Sequence, residues 1–363
     1  MSGLTCGFIG LGLIGGSIAK ALKTADSSIK IIAYDINRET LALARADGIA
    51  DVTVSCIDET FSSCGYIFLC APVSCNDENL AAVKKVVSPS CILTDVGSVK
   101  TTTHKYVAAA GLSRQFIGGH PMAGSERIGY QNAKALLLQN AYYILTPSVE
   151  TDTGKLHDFE NLVRKMGAIP LVLSYEQHDF VTAGVSHLPH VIASCLVNLV
   201  KESDSEDGIM KLIAAGGFKD ITRIASSSPV MWQQICLTNG DNISHLLSVY
   251  IDILTRTKNA LDCRDADALY KLFDSARTYR ESFINASSGP IKRIYDMTVD
   301  IADKPGALAF VVSLLAKGGI SIKNIGIVHN REAAEGAMRI EFYEENAMIQ
   351  AKNLLGKEGL IVK

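Results

Sequence analysis

The stretch Cys6-Gly7-Phe8-Ile9-Gly10-Leu11-Gly12-Leu13-Ile14-Gly15-Gly16-Ser17 decides the fold. An apolar run of strand length meets three glycines in G-x-G-x-x-G spacing, and residues 13–23 continue as a helical pattern. The first glycine permits a tight turn, the second lets a pyrophosphate approach the backbone, and the third lets helix pack on strand. Free N–H groups at the helix start then face the anion. Twenty residues after Gly15, Asp35 closes a second apolar run. A carboxylate there accepts hydrogen bonds from ribose hydroxyls and repels a 2′-phosphate. The spacing alone is a weak signal; strand, glycines, helix and acid together predict NAD, held by Gly10, Gly12, Leu13, Ile14, Gly15 and Asp35. Arg38, three residues further on, works against strict exclusion of NADP.

Outward from this loop, apolar runs at 29–34, 66–71, 91–95, 116–118, 142–145 and 168–173 alternate with helical patterns such as 38–47. That alternation predicts βαβ units around a mostly parallel sheet, an α/β dinucleotide-binding domain over residues 1–173. Residues 147–154 read as a loop. From 175 to 283 the strand signal stops, and 181–200, 242–261 and 265–283 repeat apolar residues at helical spacing, giving an all-α middle domain over 174–286. Residues 286–290, Ala-Ser-Ser-Gly-Pro, read as a linker. Beyond it come a strand (295–301), a turn (303–306), a helix (307–317), strands at 320–328 and 337–343, a helix (345–355) and a last strand (359–363). That βαββαβ order is a ferredoxin-like α+β unit over 291–363.

The chain's 363 residues, at about 150 per domain, suit two or three domains. With 48% apolar and 20% charged residues it is neither disordered nor low-complexity. A net charge of −3 offers no footprint for nucleic acid or an anionic membrane, and no uninterrupted run of 18 apolar residues is present. Nine cysteines without a CxxC pair imply free thiols in a reducing compartment, the cytoplasm. The first basic residue is Lys20, so no secretory signal is expected.

Ligands in such sheets sit beyond the carboxyl ends of the strands. Three segments fall there: 70–74, with Ala71 and Pro72 toward the nicotinamide; 95–100, with Ser98; and 118–126, with His120, Ser125 and Glu126. We read His120 as lying on a loop among glycines and a proline, where an imidazole near neutrality can take the proton of an alcohol whose carbon loses hydride. A capping role for this histidine is the alternative. His187 and His190, three apart near the start of a helix, share a face, but no further ligand at metal spacing completes a site, and no metal is expected. In residues 214–223 a helix break precedes a polar turn, and Arg223 offers a planar fork for a carboxylate or a pairing with Asp220. Trp232, the single tryptophan, reads as core or as substrate wall.

Together, GLGLIGGS (10–17), CAPVS (70–74), DVGSVK (95–100), GHPMAGSE (119–126), SHLPH (186–190) and GGFKDITR (216–223) resemble the prephenate dehydrogenases. The resemblance implies NAD-dependent oxidative decarboxylation of prephenate to 4-hydroxyphenylpyruvate in tyrosine biosynthesis. His120 would be the base on the ring hydroxyl, assisted by Ser98. Ser125 and Glu126 would line the entrance, and Arg223 would grip a carboxylate, with His187, His190, Gly216 and Asp220 shaping the pocket. The family's helical domain implies a homodimer. The tail resembles an ACT domain, carrying DxPGxL at 303–308, which implies control by tyrosine or phenylalanine bound near Asp303, Pro305, Gly306, Leu308 and Asn324. Arogenate dehydrogenase fits the same motifs. A β-hydroxyacid dehydrogenase with Lys219 as catalytic residue would leave His120 unexplained, and a non-catalytic NAD and amino-acid sensor would not need His120, Ser98 and Arg223.

Overall fold

Phe8 and Phe68 stack at 4.9 Å on neighbouring central strands, and the strands around them alternate their side chains between two apolar cores. A computed structural model describes residues 3–71, 76–124, 127–285, 295–301, 304–328 and 336–362. It divides into two compact units, Met1–Asn259 and Ala260–Lys363.

In the first unit, β1 (Thr5–Ile9), α1 (Leu13–Ala25), β2 (Lys30–Tyr34), α2 (Arg38–Ala46), β3 (Val52–Val54), β4 (Tyr66–Leu69), α3 (Asn76–Val86), β5 (Ile92–Asp95) and α4 (Thr101–Ala109) follow in order. The five strands form a parallel sheet ordered β3-β2-β1-β4-β5, so the carboxyl ends of β1, β4 and β5 open on one edge. Cys6 and Phe8 serve one core and Ile9 and Ile67 the other, the period-2 consequence of helices covering both faces. This is the α/β architecture expected from the sequence.

The sheet continues through a parallel bridge from Leu93 to Phe116 into β6 (Ile117–Pro121), β7 (Tyr142–Pro147) and β8 (Ile169–Val172). β6 runs antiparallel to β7, and β7 parallel to β8. α5 (Thr153–Lys165) begins inside the stretch expected to be loop, because Asp152 caps the N–H groups of Gly154 and Lys155. β6 also runs further than expected. Gly118 reads as the end of an apolar run and Gly119 as a turn residue, yet both pair within the strand, with Thr146 and Leu145. A Cβ on Gly118 would stand 2.3 Å from Thr146 Oγ1, so crowding rather than turning calls for glycine. His120 therefore lies within a strand, opposite Ile144, and not on a loop.

A long helical rod follows. Ser174 and Gln177 form a capping box that starts α6 (Tyr175–Thr182), six residues before the expected 181. A π-turn at Ala183–His187 then leads into α7 (Leu188–Ser203). Pro189 cannot donate to a regular helical bond, and the wide turn before it absorbs the break. By length and composition alone Tyr175–Ser203 could cross a membrane. His178, Asp179 and His187 on it are instead buried in a polar network. α8 (Ile209–Ile213), α9 (Gly216–Thr222), α10 (Pro229–Thr238) and α11 (Gly240–Asp262) complete the all-helical run into the second unit.

The second unit contains α12 (Ala266–Asn285) and then β9 (Tyr295–Ile301), α13 (Ala307–Lys317), β10 (Ile322–Val328), β11 (Gly336–Phe342) and α14 (Glu345–Lys357). Its antiparallel sheet is ordered β10-β11-β9 over a core that includes Met297, Val299, Val311, Leu315, Ile340 and Phe342. The expected last strand contracts to one bridge, Val299 to Val362. Gly306 opens α13 at φ 90°, a left-handed conformation that glycine adopts without strain.

Candidate active site

The loop between β1 and α1 is shaped by atoms that are missing. A Cβ on Gly10, where φ is +97°, would lie 2.8 Å from the backbone nitrogen of Ala71. A Cβ on Gly15 would lie 2.5 Å from the Gly10 carbonyl oxygen. Gly12, between them at the helix start, faces open space, the cradle a pyrophosphate would fill. Asp35, just past β2, accepts from the Leu11 N–H through Oδ2 (2.8 Å) and from the Asn37 N–H through Oδ1 (2.8 Å). Each oxygen keeps acceptor capacity for a ribose hydroxyl. Tyr34, Asp35, Ile36, Arg38, Leu41, Thr53 and Ser55 are among the residues lining a depression of about 440 Å³ beside it. Ile36 is 92% exposed there, an apolar surface for an adenine ring. Leu13 and Ile14 are half-buried in the first turn of α1. The donor set fits a dinucleotide. Pro72 lies outside the described residues.

The floor of the neighbouring site is held by a buried ion pair. Lys100 Nζ binds the Asp95 carboxylate and donates to the Gly119 carbonyl oxygen at 2.7 Å. Asp95 accepts in return from Gly97 N and Gly119 N. Burial pushes the Lys100 amine below its ordinary range, against the pull of Asp95. β6 is thereby pinned beside β5, which fixes the strand that carries His120. Ser98, half-buried, sits on the loop between Asp95 and Lys100.

His120 Nδ1 lies 2.8 Å from His178 Nε2, and His178 Nδ1 lies 2.8 Å from Asp179 Oδ1. Asp179 also accepts from the backbone N–H groups of Lys100 (2.7 Å) and Thr101 (2.8 Å), so it caps α4 from another element. Burial alone would raise its pKa, but the bonds from His178, Thr101 and Lys100 hold it below the usual carboxylate range. Burial, with His178, Lys100 and His187 nearby, holds His120 well below the usual imidazole range, against the pull of Asp179. Such a ring is neutral at pH 7 and keeps a lone pair that can accept a proton.

His187 is buried and accepts from Asn239 Nδ2 at 3.1 Å; Asn239 also donates to the Asp179 carbonyl oxygen. Burial lowers His187 to about 4. His190, half-buried, donates from Nδ1 to the Ser186 carbonyl oxygen and stacks on Trp232 at 3.8 Å. His187 meets the same indole edge-on at 6.0 Å. The i,i+3 pair thus shares a face, on which both rings meet Trp232; among the described residues no group of three or more His, Cys, Asp or Glu is placed to hold a metal ion. Trp232 Nε1 is buried and makes no hydrogen bond. α9, beginning at Gly216 and carrying exposed Asp220, packs on α7, and Arg223 follows at its end, exposed and close enough to His190 to disfavour its charge.

The structure thus brings His187 near His120, sets His187 and His190 against Trp232, and places Arg223 close to His190. Ser125 and Glu126 lie outside the described residues, as does Asp303 in the tail. Pro305, Gly306, Leu308 and Asn324 belong to the second unit; Asn324 sits at a β-bulge on edge strand β10, its Oδ1 accepting from the Ile325 N–H. The sequence reading missed His178 and Asp179. The capping box at 174–177, which starts the helix early enough to carry them, was the signal available.

Two family models match the chain: prephenate dehydrogenase, nucleotide-binding domain, over residues 18–171, and prephenate dehydrogenase, dimerization domain, over residues 174–275. A prephenate dehydrogenase of Bacillus subtilis is 36% identical over 95% of this chain and 94% of its own length. A cyclohexadienyl dehydrogenase of Zymomonas mobilis is 32% identical over 75% of this chain and 93% of its own. The crystal structure of prephenate dehydrogenase from Aquifex aeolicus, solved with hydroxyphenyl propionate and NAD+, superposes with a TM-score of 0.73 at 31% identity, covering 78% of this chain and 99% of that one.

Proposed function

The chain belongs to the prephenate dehydrogenase family, and from that premise we propose how its own residues carry the reaction. The activity is NAD-dependent oxidative decarboxylation of prephenate to 4-hydroxyphenylpyruvate. Bound NAD supplies the hydride acceptor, held by the Gly10–Gly15 loop and Asp35. His120 takes the proton of the ring hydroxyl as that carbon is oxidised. Arg223 grips a substrate carboxylate, with His190 and Trp232 forming the wall beside it. Ser98 assists at the hydroxyl, and Gly216, Asp220 and His187 shape the pocket. Loss of carbon dioxide leaves an aromatic ring, so the chain need only place the substrate, deprotonate it and neutralise its charge.

One observation carries this assignment: a neutral, half-buried imidazole at the carboxyl edge of a dinucleotide-binding sheet, with a hydrogen-bonded partner behind it. Purified protein with NAD and prephenate, followed by NADH absorbance, tests it. His120→Asn is expected to lower kcat by about 10²–10⁴ while NAD binding is nearly unchanged. Unaltered turnover would remove His120 from the chemistry. The likeness to an arogenate dehydrogenase structure from Synechocystis, 26% identical with a TM-score of 0.70, supports arogenate as the alternative substrate, and the same assay with arogenate decides between them.

The helical domain presents exposed Leu199, Leu212, Ile213, Val230 and Leu237, apolar surface suited to a second copy of the chain, in keeping with a homodimer. The tail, read as an ACT domain, binds tyrosine or phenylalanine near Pro305, Gly306, Leu308 and Asn324. Calorimetric titration of either amino acid into the full chain tests this, with Asn324→Ala expected to weaken binding by about fivefold or more. Absence of saturable heat from both amino acids would discard the effector site.

A further inference from the structure

We propose that His178 and Asp179 are positioning residues that lock His120 in one tautomer, with Nε2 bare toward the substrate hydroxyl, and share the charge the ring acquires. The inference rests on His120 being the base.

The assignment follows from counting hydrogens. Asp179 accepts from two backbone N–H groups and is ionised, so it has no proton to give. His178 Nδ1, 2.8 Å from Asp179 Oδ1, must therefore carry the hydrogen of that contact. A neutral imidazole has one N–H, so His178 Nε2 is a lone pair. The 2.8 Å contact to His120 Nδ1 then needs its hydrogen on His120, which strips Nε2 of His120. Reversing either ring sets two lone pairs or two hydrogens face to face.

As the substrate O–H bond breaks, an N–H bond forms at His120 Nε2. The proton on Nδ1 can pass to His178 Nε2, leaving the positive charge on a ring paired with the Asp179 carboxylate. Lys100, paired with Asp95 on one side, and His187 on the other disfavour charge on His120; Asp179 is the group that favours it. Asp179 is thus the anion in contact with the imidazole pair, anchored by the backbone of α4, while Asp95, paired with Lys100, favours charge on His178 from further away.

The test uses the full chain and four proteins: wild type, Asp179→Asn, His178→Gln and His178→Leu. Asp179→Asn is expected to lower kcat by about 10²–10⁴, with KM for prephenate and NAD within about threefold. It also moves the acid limb of the kcat/KM profile to lower pH, because the anion that favours imidazolium is gone. Nitrogen-15 NMR of the histidines reports tautomers directly: His120 is the Nδ1–H form in wild type and the Nε2–H form in Asp179→Asn. His178→Gln sets an amide oxygen near the place of Nε2 and keeps an acceptor, so it retains about tenfold more kcat than His178→Leu. Equal rates for the Gln and Leu variants, or an unchanged His120 tautomer, would overturn the proposal. If Asp179→Asn fails to fold because α4 loses its cap, the His178 pair decides, since that side chain bonds no backbone group. A silent His120→Asn would instead fail the base itself, whereas an impaired His120→Asn beside normal His178 variants fails only the relay.

Discussion

At the dinucleotide end, Gly10, Gly12 and Gly15 act through the side chains they lack, whereas at the His120 end Asp95, Lys100, His178 and Asp179 act through the bonds they hold. The glycine loop is made by one short segment and closed by one carboxylate, Asp35. The imidazole network joins three segments up to 84 residues apart, from Asp95 through His120 to Asp179. A surface for a large, chemically uniform cofactor can be made from backbone N–H groups. A proton acceptor needs one ring nitrogen left bare and the other committed, which only placed side chains can achieve.

The contrast is sharpest at Lys100, which is fully buried against Asp95. Lys100→Ala leaves that carboxylate buried with two backbone donors but no countercharge, and it unties the Gly119 carbonyl. Stability is expected to fall by about 3–5 kcal/mol, read as a lower urea midpoint at unchanged slope. A loss under about 1 kcal/mol would mean that water or a local shift replaces the ammonium, and β6 would not be pinned by charge. No glycine of the cofactor loop carries an ion pair whose removal could match this.

Arg223 comes next. It is exposed, and as the group that grips a substrate carboxylate its truncation should weaken binding more than it disturbs the fold. Arg223→Ala is expected to raise KM for prephenate by about 10–100-fold, the worth of a charged hydrogen bond, with kcat within about threefold. An unaltered KM places the guanidinium outside the pocket.

These two regions were unequally legible in the sequence. The demands on Gly10, Gly12 and Gly15 are local, so spacing after a strand and before a helix was enough to read the loop and, from it, the parallel sheet. His120 was legible as a residue type, but its strand was not. Gly119 resembles part of a turn until the Asp95 carbonyl and Tyr143 are seen to occupy the space its Cβ would need, as Thr146 and His104 do beside Gly118. His178 lies ahead of the helix that the apolar spacing predicts over 181–200, so the sequence does not place it beside His120. Ser174 and Gln177 start it at Tyr175, and only the fold brings position 178 to within 2.8 Å of position 120. Long-range pairing of this sort leaves no periodicity to read.

The smallest effect belongs to the cofactor end, where the backbone does most of the binding. Asp35 spends an acceptor of each oxygen on Leu11 N and Asn37 N. In Asp35→Asn the amide oxygen can keep one of these bonds while the NH2 group faces the other N–H, so NAD loses a ribose acceptor and the loop loses one tether. At about 1 kcal/mol for a single neutral hydrogen bond, KM for NAD should rise about fivefold. The same change removes the negative charge that opposes a 2′-phosphate, and Arg38 lines the same depression. KM for NADP should therefore fall, and the ratio of kcat/KM for NAD to that for NADP should drop by about tenfold or more. The two competing cofactors in one steady-state assay give this ratio directly. A ratio left where it was would show that selectivity is set by the shape of the depression rather than by charge, and the cofactor end would then owe even less to its side chains than the glycines imply.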